Sequence, residues 1–252
     1  MPPPRESDYF RARGFSVYYV ANAVFNITSS PMLYARGIED ILGDMRAESL
    51  MKPFQRYSNL HSFIYDIALD VITEEIGSDI TETVLIRRFF EIFSVNFDDK
   101  VFDDEESFWT FANESERFYP AIEELSDEVF HVLFVDLMFL QKFNALCAGY
   151  IDQSGFGGNY RTSTRTLKRV NIPVWARRAV FHRDRGECRS CKRSLAAIIN
   201  RLETERYDHI IPLAQFGPND VTNLQLLCEP CNSAKSSRHE PVSFLYPRAF
   251  SQ

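Results

Sequence analysis

Cys188-Arg-Ser-Cys191 and Cys228-Glu-Pro-Cys231, with 36 residues between them, decide how the C-terminal third of this chain folds. A C-x-x-C pair lets two thiolates point at one ion, and two such pairs complete a tetrahedral four-cysteine zinc site with bonds of about 2.3 Å. Four thiolates leave no position for water, so the expected zinc is structural and not catalytic. Its binding energy becomes folding energy, on the order of 10 kcal/mol in small zinc modules. A segment of about 70 residues buries too little apolar area to do without such a staple. Two unrelated thiol pairs or a redox dithiol are the alternatives, and two knuckles within one basic segment favour the metal. The fifth cysteine, Cys147, stands alone.

Charge marks off the same segment. Residues 1–160 carry 12 Lys and Arg against 27 Asp and Glu, a net of −15, whereas 161–252 carry 16 against 8, a net of +8. The overall −7 therefore averages two chemically different pieces, and the basic one suits a polyanion such as DNA. Phenylalanine is also uneven, with 18 of 22 in 1–160. The opening MPPPRESDYF lacks the basic-then-apolar order of a secretory signal. The most apolar run, Val129–Leu140, is interrupted by His131 and Asp136 and is shorter than the ~17–25 residues of a membrane span. It reads as a core helix, the protein as cytoplasmic and without membrane contact, and its paired thiols as metal ligands rather than disulfides.

Between the knuckles lie Arg206-Tyr-Asp-His-Ile-Ile-Pro-Leu213 and Asn223-Leu-Gln-Leu-Leu-Cys-Glu-Pro-Cys-Asn232, followed by Lys235. Together with the approach segment Ala176-Arg-Arg-Ala-Val-Phe-His-Arg-Asp-Arg-Gly-Glu-Cys188, this order resembles the HNH endonucleases that carry a four-cysteine zinc. The resemblance covers about seventy residues, does not reach 1–160, and is specific only as a combination. It implies a ββα-metal finger: a strand bearing the Asp-His pair, a loop, and a helix bearing the last motif residue.

Hydrolysing a phosphodiester requires a base for water and a counter-charge for the phosphate. Histidine suits the first task near neutral pH, and a Mg²⁺-like ion with few protein oxygens suits the second. Neighbours on a strand point to opposite faces, so Asp208 and His209 are expected to do different jobs. The resemblance implies His209 as general base, Asp208 and Asn232 as ligands of a catalytic Mg²⁺ or Mn²⁺, and Asn223 as the brace that orients His209 by hydrogen bonds. Asn232 departs from the commoner His at its position. Lys235, Arg177, Arg178, Arg183 and Arg185 are candidate phosphate contacts. His182 reads as structural, His239 as tail, and His61 and His131 as core or helix-surface residues. Trp175 is expected to anchor its helix by burial.

The fold expected is mainly α, an all-helical N-terminal domain joined to a small α+β zinc-stapled finger. The reading divides the chain into an acidic helical domain at 1–150, a Gly/Ser/Thr-rich linker at 151–167, the nuclease domain at 168–240 and a tail at 241–252. Within the first, Asp79-Ile-Thr-Glu82 resembles a capping box opening Val84 through Phe93, and Tyr57–Ile76 and Glu123–Cys147 carry helical periodicity. The acidic run 98–106 reads as a loop or solvated helix start. The acidic domain is expected to regulate, bind a protein partner or self-associate, and one form of that expectation has its deletion raising activity. The leading function is a DNA-cleaving enzyme, by analogy a bacterial restriction or anti-phage effector. Its rival is a non-catalytic nucleic-acid-binding zinc module on a helical adaptor.

Overall fold

Ten α-helices and one two-stranded sheet build the described residues, 17–74, 83–154, 158–195 and 205–235, of a computed structural model. In chain order they are α1 (Val17–Ser29), α2 (Ala35–Leu42), α3 (Asp44–Met51), α4 (Asn59–Thr73), α5 (Val84–Ile92), α6 (Glu105–Glu114), α7 (Phe118–Phe134), α8 (Leu137–Gln153) and α9 (Val174–Arg183). Strand β1 (Glu205–His209), strand β2 (Leu224–Cys228) and α10 (Glu229–Lys235) follow among the described residues. The fold is thus mainly helical with a small sheet near the C-terminus, as the sequence predicts. No single described helix is long and apolar enough to cross a membrane.

Helical spacing places the apolar side chains where the sequence predicts. In α4, Leu60, Ile64, Ile67, Ala68 and Ile72 recur at three- and four-residue steps and are all buried. The periodic stretch Glu123–Cys147 is two helices rather than one. The Asp136 carboxylate accepts from the N–H groups of Met138 and Phe139, and that N-cap ends one helix and opens the next. The capping box expected at Asp79 lies outside the described residues.

Contacts cluster the chain into two units. The first, Met1–Asn26 with His61–Val132, uses its phenylalanines as a core. Phe90 packs 5.0 Å from Phe97 and 5.5 Å from Phe111, and Phe118 meets Phe108 edge-on at 5.6 Å. The acidic run caps helices: Asp98 accepts from Lys100 N, and Asp104 from Ser107 N at the start of α6. An open depression lined in part by Asp104, Glu106, Thr110 and Glu114 belongs to this unit alone.

The second unit, Ile27–Leu60 with Leu133–Gln252, holds α2, α3, α8, α9 and the β-strands. Helix α3 packs on α8, α8 on the turn at Val221–Asn223, and α9 on β2, while α10 lies against both strands. Contacts therefore group three helices of the acidic stretch with the basic C-terminal third. Surface charge does not display this grouping, because charge reports what is solvated and contacts report what is buried. Within the segment read as a linker, Leu167 is buried, and the Arg161 guanidinium donates to the Ile151 and Ser154 carbonyls and covers the Phe216 ring at 5.2 Å.

Candidate functional site

The zinc knuckles come together. All four Sγ atoms, of Cys188, Cys191, Cys228 and Cys231, lie within 4.8 Å of one another, and Cys191 Sγ is 3.7 Å from Cys228 Sγ. Ligands about 2.3 Å from one tetrahedral zinc stand roughly 3.8 Å apart, so the spacing fits that ion. Burial pushes the Cys188 thiol up, but the N–H groups of Cys191, Cys228 and Ser190 aimed at its sulfur outweigh it and bring it down to about 7. Burial drives two of its neighbours the other way, Cys228 up to about 12 and Cys231 upward as well. Local backbone builds the first knuckle: Cys188 N donates to Arg193 O, Lys192 N to Cys188 O, and Arg189 N to Leu226 O. Gly186, at φ +63°, turns the chain into it, where a Cβ would stand 2.8 Å from the Phe181 ring.

Behind the first knuckle, Asp184 and Arg183 brace the sheet. The buried Asp184 carboxylate accepts from Leu226 N at 2.8 Å and from Arg183 Nε at 2.8 Å. Arg183 also donates to Leu224 O and lies 4.9 Å over the Phe134 ring, with its side chain only 2% exposed. Arg183 is therefore an internal strut and is not presented to a phosphate. Arg177, Arg178, Arg185 and His182 are exposed. Trp175 is half-buried, its ring covered by Arg56 at 4.7 Å.

The ββα finger follows. Strands β1 and β2 pair antiparallel with Asp208 opposite Gln225 and His209 opposite Leu224, and α10 continues directly from β2. Asp208 is mostly buried, its side chain 15% exposed, and His209 beside it is buried. Lys235, in the last turn of α10, places Nζ 2.6 Å from Asp208 Oδ2 and 2.7 Å from His209 O. It is 3% exposed, so this lysine, expected at phosphate, is engaged inside the finger. Asn232 sits half-buried on α10, one turn before Lys235.

The loop between the strands is held by asparagines. Asn223 Oδ1 accepts from Ile211 N at 2.8 Å, while its Nδ2 donates to Ile211 O at 3.0 Å and to Pro218 O at 2.9 Å. It braces backbone, and the hydrogen bond to the His209 ring comes instead from Asn219, whose Oδ1 lies 3.2 Å from Nε2. Burial first, then the Arg169 charge, brings His209 down to about 4, so the ring is neutral near pH 7. Sequence reading passed over Asn219, Asp220 and Asp184. The run Gly217-Pro-Asn-Asp220 reads only as a turn until its carboxyamide and carboxylate are seen to face inward. His239 lies outside the described residues.

Asp208 and Asn232 offer hard oxygens of the kind that small divalent ions take, and the Lys235 ammonium is the cation that rests on Asp208. The geometry defines a class, a ββα finger with an Asp-His pair on its first strand and four clustered cysteines that could hold a structural metal such as zinc. Comparison with known families names it: residues 188–238 match the HNH endonuclease model. No curated protein and no solved structure matches the chain.

Proposed function

We propose that residues 168–240 form a metal-dependent HNH endonuclease domain that hydrolyses phosphodiester bonds of DNA. The observation that carries this reading is the coincidence of the HNH match with a finger that sets His209, neutral and buried, beside Asp208 and beneath α10. His209 takes a proton from the attacking water. Asp208 and Asn232 hold one Mg²⁺ or Mn²⁺, which supplies counter-charge at the scissile phosphate when bound. Asn223 keeps the loop closed behind the histidine. Exposed Arg177, Arg178 and Arg185 meet backbone phosphates, each contributing to a salt-dependent affinity.

Supercoiled plasmid tests the reading. Nicking is expected with Mg²⁺ or Mn²⁺, to be lost in EDTA and in His209→Ala while the zinc content of that variant stays at four thiolates per ion. Cleavage by His209→Ala at the wild-type rate would falsify the assignment. A parallel panel of duplex, single-stranded DNA and RNA defines the substrate.

One observation favours the second reading, a non-catalytic nucleic-acid-binding module. Lys235 already neutralises Asp208, as a finger that has given up its ion would require. Binding of DNA without cutting in every metal decides for it. We further propose that residues 1–150 serve a protein partner or self-association, supported by the exposed Met32, Leu33 and Tyr34. The pairing of a nuclease finger with added helices supports a restriction or anti-phage effector.

A further inference from the structure

Asn219 is 4% exposed, and its backbone carbonyl and both ends of its side-chain amide are engaged. Its backbone carbonyl accepts from Phe54 N at 2.8 Å, and its Nδ2 donates to Lys168 O at 2.9 Å. A carbonyl oxygen only accepts, so the atom facing Lys168 is the amide nitrogen and the atom facing His209 is the amide oxygen. That oxygen, in turn, only accepts. His209 Nε2, 3.2 Å away, must therefore carry the proton, which leaves Nδ1 as the bare lone pair of the neutral ring.

We propose that Asn219 is the positioning residue of this site, fixing His209 as the Nε2–H tautomer so that Nδ1 receives the proton of the attacking water. The role rests on the nuclease reading and deepens it. In the step itself the O–H bond of water breaks and an N–H bond forms at Nδ1. The water oxygen uses the freed electron pair to bond to phosphorus as the bond from phosphorus to the leaving ester oxygen breaks. The leaving oxygen departs with its electron pair and takes a proton from solvent. The anchor is rigid because Asn219 cannot turn its amide over without placing its oxygen against the Lys168 carbonyl. It cannot retreat either, since its own carbonyl is held by Phe54 N. A ring free to adopt Nδ1–H would present a donor where the reaction needs an acceptor, and the equivalent loss of an orienting partner costs about 10- to 100-fold in activity.

Long-range ¹H–¹⁵N spectra of the zinc-bound full-length chain, without a second metal, read the tautomer directly. Wild type is expected to show His209 protonated at Nε2 and bare at Nδ1, and Asn219→Ala a mixture of the two tautomers. Plasmid nicking should follow: kcat down about 10- to 100-fold in N219A with KM unchanged. A wild-type proton on Nδ1, or an N219A spectrum identical to wild type, overturns the proposal. The wild-type spectrum does so without any variant, whatever N219A does to folding. A wild-type chain that cuts nothing in any divalent metal overturns the nuclease reading and with it this role, while the spectra alone decide the tautomer.

Discussion

An ammonium buried between a carboxylate and a carbonyl, as Lys235 is, holds α10 down on β1 and keeps Asp208 from standing as an uncompensated charge. Lys235→Met should therefore cost about 3 kcal/mol without added metal, because it leaves Asp208 partly buried and alone. Millimolar Mn²⁺ should restore part of that loss by replacing the missing cation. Urea unfolding with and without Mn²⁺ checks it, and equal stability of variant and wild type would count against the pair. Acid sensitivity also lives at this scale. Burial, with help from the His131 charge, brings His61 down to about 4, where it stacks on Phe130 at 3.8 Å, and His209 reaches the same value. The unfolded chain protonates both below about pH 6.5 and the folded chain does not. Stability from these two residues is thus complete above about pH 6.5 and drains away as pH falls toward 4. Unfolding midpoints measured down that range should drop, and His61→Phe, which retains the stack, should flatten its share of the slope.

At the scale of elements, the zinc knuckles and the loop between β1 and β2 carry the site. The two cysteine pairs meet at one end of the hairpin, where Cys228 stands opposite Glu205, so chelating zinc is expected to remove folding energy on the order of 10 kcal/mol. Loss of the hairpin's amide protection on chelation, and its return on adding zinc, is the expected result; protection unchanged without zinc would contradict it. The loop is tight because Gly217 passes over Ile211. A Cβ there would come within 1.9 Å of Ile211 O and 2.8 Å of Asn223 Nδ2. Gly217→Ala is expected to destabilise by about 2 kcal/mol or more, since backbone must move and the Asn223 brace must loosen. Thermal melts and nicking rates should fall together, and an alanine tolerated in both would refute this account of the loop.

At the scale of the molecule, the same loop is clamped by helices far upstream. Asp220, buried and pushed up by that burial, accepts from Asn59 N at 3.0 Å and from Thr222 N and Oγ1. Phe54 N holds Asn219 O, and Thr222 Oγ1 reaches Asn144 Oδ1 at 3.3 Å. Removing residues 1–150 takes away Phe54, Asn59 and Asn144 together and opens a buried carboxylate to water. The chain so shortened is expected to lose nicking activity rather than gain it, the reverse of what opposite charges on two separate domains suggest. Activity at or above the full-length rate would restore the picture of a detachable inhibitory domain. Asn144→Ala offers a milder version, with a partial loss expected.

What the sequence determined by itself was local and covalent in character. The paired cysteines, the Asp208-His209 pair, the strand–loop–strand–helix order and the helical stretches over Tyr57–Ile76 and Val84–Phe93 are legible because each depends on residue type at fixed spacing along a few turns of chain. Where α7 ends and α8 begins was only half legible, because a capping aspartate sits inside an otherwise unbroken apolar period. Tertiary structure alone decided that Lys235 and Arg183 face inward, that Asn219 rather than Asn223 meets the histidine ring, and that Phe54, Asn59 and Asn144 hold the site loop. Those choices are set by hydrogen bonds between residues far apart along the chain, 161 positions in the case of Asn59 and Asp220. Such a bond is chosen by whichever buried donor lacks a partner once the helices have packed, and no pattern along the chain records it.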